Sequence, residues 1–247
     1  MERIHRLKCL SASSLKLFAM AMMLLDHMWG TGVARPDWLT CLGRLAFPIF
    51  AFQVAEGYAH TRDFKKYLLR MFLFALVSEI PYNLMTGGYW FSPFGQNVMF
   101  TFCLALLLIR LIDRARAKHW LWGVAATAVG AFVGYWLGMF TFVDYYGYGI
   151  LTVLAFWLFR DVPWGWLAQL AAIFYINWEM IGGLHYEVPL FGQALMLPQQ
   201  GIAVLALIPI WLYSGKPGIQ SKAFRYGCYA FYPVHILILS LIALYLI

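Results

Sequence analysis

Apolar runs of about 20 residues follow one another along this chain with only short polar connectors between them. At about 1.5 Å rise per residue, a run of that length crosses the roughly 30 Å hydrocarbon core of a bilayer. The runs fall near residues 14–31, 38–59, 66–86, 97–113, 119–139, 147–160, 164–182, 190–213 and 226–246. The sixth is short and the eighth contains Pro198 and Pro209, so eight or ten spans stay open beside the nine counted here. Lipid offers a spanning backbone no hydrogen-bond partner, which makes helices the expected element. The expected fold is therefore all-α: a polytopic integral membrane protein of about nine transmembrane helices, one domain over residues 1–247. Composition agrees, with 63% hydrophobic, 12% charged and 19% aromatic residues, outside the range of a soluble domain.

The basic residues fall on alternate connectors. With a cytoplasmic start, one side receives Arg3, Arg6, Lys8 and Lys16, then Arg62, Lys65, Lys66 and Arg70. It also receives Arg110, Arg114, Arg116, Lys118, Arg160, Lys216, Lys222 and Arg225, whereas the other side receives Arg35 alone. This asymmetry predicts a cytoplasmic N-terminus and an outer C-terminus, and it accounts for the net charge of +7 without invoking nucleic acid. The basic first fourteen residues lead into an apolar run with no small-residue cleavage site, which reads as a retained first span. Cys9, Cys41, Cys103 and Cys228 are scattered, which argues against a disulfide framework or a zinc site. Nucleotide-loop and His-Glu-x-x-His signatures are absent.

Against this background Asp26 and His27 stand out, inside the first apolar run in the stretch LLDHMWG. Ionisable groups at that depth are costly unless paired or wetted, and so mark a functional site by default; the alternative is structural polar residues satisfied by neighbouring helices. Counted along helices, His27 lies about 16 Å above Lys16, Glu79 about 20 Å above Lys66, and His235 about 15 Å above Arg225; Arg44 lies about 9 Å below Trp38. Four spans thus bring ionisable groups to a similar depth. Lys16, Met20, Met23 and His27 share one helix stripe. Asp26 points about 100° away from His27, so it is expected to pair elsewhere, with Arg44, while His27 meets Glu79, a hydroxyl or a backbone carbonyl. Glu56 either lines an inner entrance or anchors its helix, and Pro48 and Pro81 are expected to kink theirs. Gln96 and Asn97 read as a cap for the fourth span. Asp144, Tyr145 and Tyr146 sit in an outer loop, to meet a substrate or to close a turn.

Long ordered blocks carry a resemblance. They are LKLFAMAMMLLDHMWG, GRLAFPIFAFQVAEGYAHTRDFKKYLLR, FALVSEIPYNL, QNVMFTF, DYYGYGIL, ALIPIWLYSGKPG and YGCYAFYPVHILIL. With them the chain resembles the TraX family, membrane proteins associated with N-terminal acetylation of conjugative pilin. It is more distantly similar to transmembrane acyltransferases of the acyltransferase-3 and heparan-glucosaminide acetyltransferase type. The resemblance implies a multi-pass protein of the bacterial inner membrane that transfers an acetyl group from cytoplasmic acetyl-CoA to an amine or hydroxyl on the outer side. The matched positions are Asp26, His27, Arg44, Glu56, His60, Glu79, Asn97, Asp144, Tyr145 and His235.

The residues admit that chemistry. His27 is the expected base, with Asp26, Arg44, Glu79 and His235 shaping its site and Arg44 or Asn97 as oxyanion donor. Lys16, Arg62, Lys65, Lys66, Arg70 and Arg110, with Arg114 and Arg116, are expected to hold the CoA phosphates. Asn97, Asp144 and Tyr145 are expected at the acceptor. The expected partners are acyl-CoA, an outer acceptor (pilin, another polypeptide, or an envelope glycan or lipid), the bilayer and a second copy of the chain. Competing readings are a transporter, which should show two similar halves, and a non-catalytic scaffold of a conjugation or secretion system.

Overall fold

A computed structural model describes residues 8–190 and 193–246. Arg3 and Arg6 of the charge pattern lie outside the described residues. The first helix, α1 (Ala12–Gly30), starts where Ser11 accepts the Ser14 N–H at 3.1 Å. The second apolar run is two helices, α2 (Asp37–Gly43) and α3 (Ala46–His60), broken at Arg44 and Leu45. α4 (Phe64–Gly87) is capped by the Asp63 carboxylate on the Lys66 N–H at 3.0 Å and ends at Gly88, whose φ of +69° suits glycine. α5 (Val98–Arg116) begins at Asn97, whose Oδ1 accepts the Met99 N–H at 3.1 Å, as the cap reading expected.

α6 (Trp120–Phe140) and α7 (Tyr146–Leu158) pack backbone to backbone: a Cβ added at Gly138 would lie 2.5 Å from the Gly147 nitrogen. α8 (Gly165–Tyr175) runs into a π-helical turn, Ile176–Met180. An antiparallel hairpin follows, β1 (His185–Leu190) and β2 (Gln193–Pro198), with Tyr186 opposite Leu197 and Val188 opposite Leu195. A 3₁₀ segment, Gln199–Ala206, leads to the short α9 (Leu207–Trp211), and α10 (Lys222–Leu246) closes the described chain.

Two expectations change. The eighth apolar run, 190–213, is not one helix; its first part is the hairpin, and the helical part starts at Gln199. Pro189 and Pro198 lack the N–H that a helix interior needs, so the chain turns extended there. Pro48 does not interrupt a helix: it is the third residue of α3, where its missing N–H would have no helical acceptor in any case. Pro81 is interior to α4, and Pro233 is interior to α10.

The burial pattern is that of a protein solvated by lipid. Leu121, Trp122, Val124, Val129 and Phe132 on α6 are exposed, as are Leu69, Leu73, Leu76, Val77 and Ile80 on α4. Thr40, Ser78, Asn83, Asn97, Thr101, Thr152, Asn177, Gln200 and His235 are buried. Among the described residues, four helical stretches are long and apolar enough to cross a membrane: Asp37–His60 (α2 with α3), Phe64–Gly87, Trp120–Phe140 and Lys222–Tyr245. The main core gathers Leu15, Ile49, Leu106, Ile109, Ile150, Phe156, Ile173 and Leu207 around α3. A second cluster of Met23, Ala46, Tyr232 and Ile236 joins α10 to α1. Between helices in lipid, such contacts stabilise through close packing rather than through escape from water.

The cations collect at one end. The Arg110 guanidinium lies over the Phe64 ring at 5.6 Å, Arg116 over Trp157 at 5.2 Å, and Arg160 pairs with Glu56. The Ala12 N–H donates to the Lys216 carbonyl at 2.8 Å, which brings the 213–221 connector to the same end as the start of α1.

Candidate active site

Two histidines 208 residues apart meet in the interior. His27 Nδ1 on α1 lies 2.7 Å from His235 Nε2 on α10, with the ring planes within 6° and the centroids 4.9 Å apart, so the rings meet edge to edge. His235 Nδ1 lies 2.6 Å from the Phe231 carbonyl oxygen. A carbonyl only accepts, so His235 Nδ1 carries a hydrogen and, in the neutral ring, Nε2 is the acceptor. It therefore takes its hydrogen bond from His27 Nδ1–H, and His27 Nε2 is left with a free lone pair. His27 was expected to meet Glu79, a hydroxyl or a carbonyl. It meets His235 instead, and the carbonyl sits one link further along.

His27 lines a cavity of about 630 Å³ that is also walled by Asp26, Arg44, Asp144, Tyr145 and Tyr232. Arg44, at the break between α2 and α3, pairs with Asp26 as the helical phase predicted. Thr40 Oγ1 also donates to Asp26 Oδ1, at 2.8 Å, and Gly43 leaves no room for a Cβ against that carboxylate. Arg44 Nη1 donates to Gln200 Oε1 at 3.3 Å; Gln200 Nε2 donates to Asn177 Oδ1 at 2.9 Å, and Asn177 Nδ2 to the Ile173 carbonyl at 2.8 Å. The guanidinium is thus fixed from α1, α2 and the 3₁₀ segment while facing the cavity. A charge held this way can stabilise an oxyanion without reorganising.

The loop between α6 and α7 forms another wall. Phe142, Tyr145 and Tyr146 have φ values of 53°, 59° and 45°, a conformation costly for residues other than glycine. The loop is held by Gln96, which exchanges backbone hydrogen bonds with Phe142 and Asp144 at 2.9 and 2.8 Å, and by Thr101 Oγ1 on the Asp144 carbonyl at 2.6 Å. Tyr145 stacks on Phe47 at 3.8 Å. Burial pushes the Asp144 carboxyl up to about 6, opposed by the Tyr145 N–H and by Arg44. Both loop residues expected at the acceptor, Asp144 and Tyr145, therefore line the cavity.

Glu79 and Asn97 do not line this cavity. Asn97 Nδ2 donates to Glu79 Oε2 at 2.6 Å and to the Ala75 carbonyl at 2.8 Å, and the Asn97 N–H reaches the same carboxylate at 3.3 Å. The pair clamps the start of α5 to α4. Neither is a cavity group, which corrects their placement beside His27 and the acceptor.

Two smaller cavities lie toward the cationic end. Lys16 and Gln53 line both; Glu56 and His60 line the first, and Phe50 and Phe102 line the second together with the His27 cavity. Glu56 walls the first cavity and pairs with Arg160. Arg62, Lys65, Lys66, Arg70 and Arg110 line none of these cavities. Arg62, Lys65 and Lys66 are exposed, Lys66 pairing with Asp63 at 3.2 Å, while the buried Nε atoms of Arg70 and Arg110 have no partner among the described residues.

Sequence reasoning missed Gln200, Asn177 and Tyr232, and it missed the hairpin whose base, Gly182–Leu184 and Gln199, closes one side of the cavity. Tyr186 ties the hairpin down, accepting from Gln199 Nε2 at 3.0 Å beside Cys41 Sγ at 3.5 Å. Gly182-Gly183 followed by a tyrosine and a valine alternating with polar residues was a strand signal.

Comparison with known proteins gives two matches. A family model described as TraX protein covers residues 11–243. The probable fimbrial assembly protein FimC, serogroup H1, of Dichelobacter nodosus is 28% identical over 261 residues, spanning 93% of this chain and 94% of the relative. No solved structure matches.

Proposed function

The chain belongs to the TraX protein family, and on that premise we propose that it is a membrane acetyltransferase moving an acetyl group from cytoplasmic acetyl-CoA to an amine or hydroxyl on the outer side. The observation that carries the reading is the hydrogen-bond chain from the Phe231 carbonyl through His235 to His27, which leaves a free nitrogen lone pair on a ring that lines the large cavity.

In this mechanism the CoA headgroup stays at the cationic end. Its pantetheine arm follows the cavities past Lys16 and Gln53, and Phe50 and Phe102 mark the entry to the His27 cavity. His27 Nε2 takes a proton from the acceptor nucleophile as it attacks the thioester carbonyl carbon. The new C–N or C–O bond forms, Arg44 stabilises the oxyanion, the C–S bond breaks, and His27 returns the proton to the departing CoA thiolate. His235 holds the His27 ring and its tautomer, and Asp26 holds Arg44. A relative described as a fimbrial assembly protein favours a pilin-like polypeptide as acceptor.

The chain traverses the bilayer nine times in this reading, with Gln199–Trp211 as the eighth crossing, in the inner membrane of a bacterium. The cationic end faces the cytoplasm, in keeping with the positive-inside rule.

Radiolabelled acetyl-CoA tests the proposal on protein purified in detergent. Wild type is expected to bind it and to hydrolyse it slowly, and His27→Ala to bind it while losing about 10²–10⁴-fold in rate. A folded wild type that neither binds nor hydrolyses acetyl-CoA overturns the proposal, and an undiminished His27→Ala overturns the role of His27.

A further inference from the structure

The Arg44 guanidinium carries five N–H groups in one rigid plane, and their partners can be followed one by one. Nε donates to the Thr40 carbonyl at 3.3 Å. The two hydrogens of Nη2 go to Asp26 Oδ1 and, at 3.0 Å, to Thr40 Oγ1, which gives its own hydrogen to Asp26 and so accepts here. One hydrogen of Nη1 goes to Gln200 Oε1 at 3.3 Å. A single N–H is left without an acceptor among the described residues, the second one on Nη1. Arg44 and Gln200 both line the His27 cavity. Because the unused hydrogen shares its nitrogen with the Gln200 contact, whatever fixes Gln200 fixes the direction of that hydrogen.

What fixes Gln200 lies behind the cavity wall. Gln200 is 6% exposed, and its partner Asn177 is 1% exposed and does not line the cavity. Arg44 can only donate and the Ile173 carbonyl can only accept, so the two amides between them have one consistent orientation. Turning either amide over would set donor against donor or oxygen against oxygen. The elements that bear the two amides are also locked together. Asn177 belongs to the π-helical turn, where the Ile181 N–H reaches back five residues to the Ile176 carbonyl at 3.0 Å; such turns occur mostly at functional sites. The next residue, Trp178, stacks on Phe174 at 5.1 Å, and a Cβ added at Gly201 would lie 2.7 Å from the Trp178 ring. Gln200 therefore meets Asn177 in a fixed register.

We propose that Asn177, acting through Gln200, is a positioning residue that aims the second Nη1 hydrogen of Arg44 at the oxyanion. The inference rests on the acetyl-transfer reading above, and it assigns the donating hydrogen and the two amides that aim it. A neutral amide suits this task. It holds Nη1 through an oxygen yet leaves the guanidinium its charge, which a second carboxylate at that place would neutralise.

Acetyl-CoA binding and steady-state hydrolysis by full-length protein in detergent provide the test. Asn177→Leu, of similar volume, removes the acceptor of Gln200 Nε2 without altering a cavity-lining residue. It is expected to lower kcat about tenfold while acetyl-CoA affinity stays within about twofold. Gln200→Met is expected to do the same, and serves if the leucine variant does not fold. A general structural defect would lower kcat whatever stands at residue 44, whereas a positioning residue needs its arginine. Arg44→Lys keeps a cation beside Asp26 but has no fork of N–H groups, so in that background Asn177→Leu is expected to cost less than about twofold more. The proposal is overturned by an undiminished kcat in either folded variant, by a loss that lies in acetyl-CoA affinity, or by the full loss recurring in the Arg44→Lys background. Hydrolysis that falls in Arg44→Lys but not in Asn177→Leu removes the aiming role alone. A folded wild type that does not hydrolyse acetyl-CoA removes the transferase reading and this inference with it.

Discussion

At the scale of single residues, the site depends on hydrogens that have only one place to go. His235 Nδ1 must donate to the Phe231 carbonyl, which makes its Nε2 the acceptor for His27. In His235→Ala the His27 Nδ1–H loses that acceptor and the ring its orientation. The variant is expected to lose roughly tenfold to a hundredfold in kcat for acetyl-CoA hydrolysis with little change in acetyl-CoA affinity, a split that steady-state kinetics and binding together resolve. Arg44→Ala removes the partner of Asp26. Because both side chains are 20% exposed, the cost belongs at the lower end of the buried-pair range, about 3 kcal/mol, read by denaturation in detergent. The Asp26–Arg44 pair was legible in the sequence, since helical phase turns Asp26 away from His27 and depth brings Arg44 level. The His27–His235 contact was legible only as a shared depth; which face of α10 turns toward α1 depends on packing of Tyr232 and Ile236 that no local pattern records.

At the scale of elements, apolar runs identified most helices because lipid demands that a span satisfy its own backbone. The same reasoning failed over 190–213, where hydropathy alone was read as length although Pro198 and Pro209 left the number of spans open. Pro198 is instead the boundary between the hairpin and the 3₁₀ segment, and Pro209 lies within α9. The glycines of α6 carry a different signal. Gly138 and Gly147 let two helices touch through their backbones, so the neighbour has no flexible side chain with which to yield. Gly138→Ala is expected to destabilise by about 1–3 kcal/mol, measured as a lowered thermal midpoint. Because α7 begins at the strained loop, the same variant should also weaken acceptor binding.

For the whole molecule, neighbouring cavities that share lining residues run from a cationic end, past the one lined by His27, toward an aromatic-rich end. A cysteine placed at Lys216 is expected to react with a membrane-impermeant thiol reagent only from the cytoplasmic side, and one at Tyr89 only from the outer side. Such labelling of intact cells and of inverted vesicles, in a background freed of Cys9, Cys41, Cys103 and Cys228, tests the orientation. The charge asymmetry was readable from the sequence because connectors carry it. The cavities were not, because they lie between helices distant in the chain. The most direct measurement uses sealed proteoliposomes, with labelled acetyl-CoA supplied on the Lys216 side and trialanine amide on the other. The account predicts acetylated peptide on the far side with wild type and none above background with His27→Ala. A wild type that binds acetyl-CoA yet delivers no acetyl group across, or a His27→Ala variant that delivers it equally well, would contradict it.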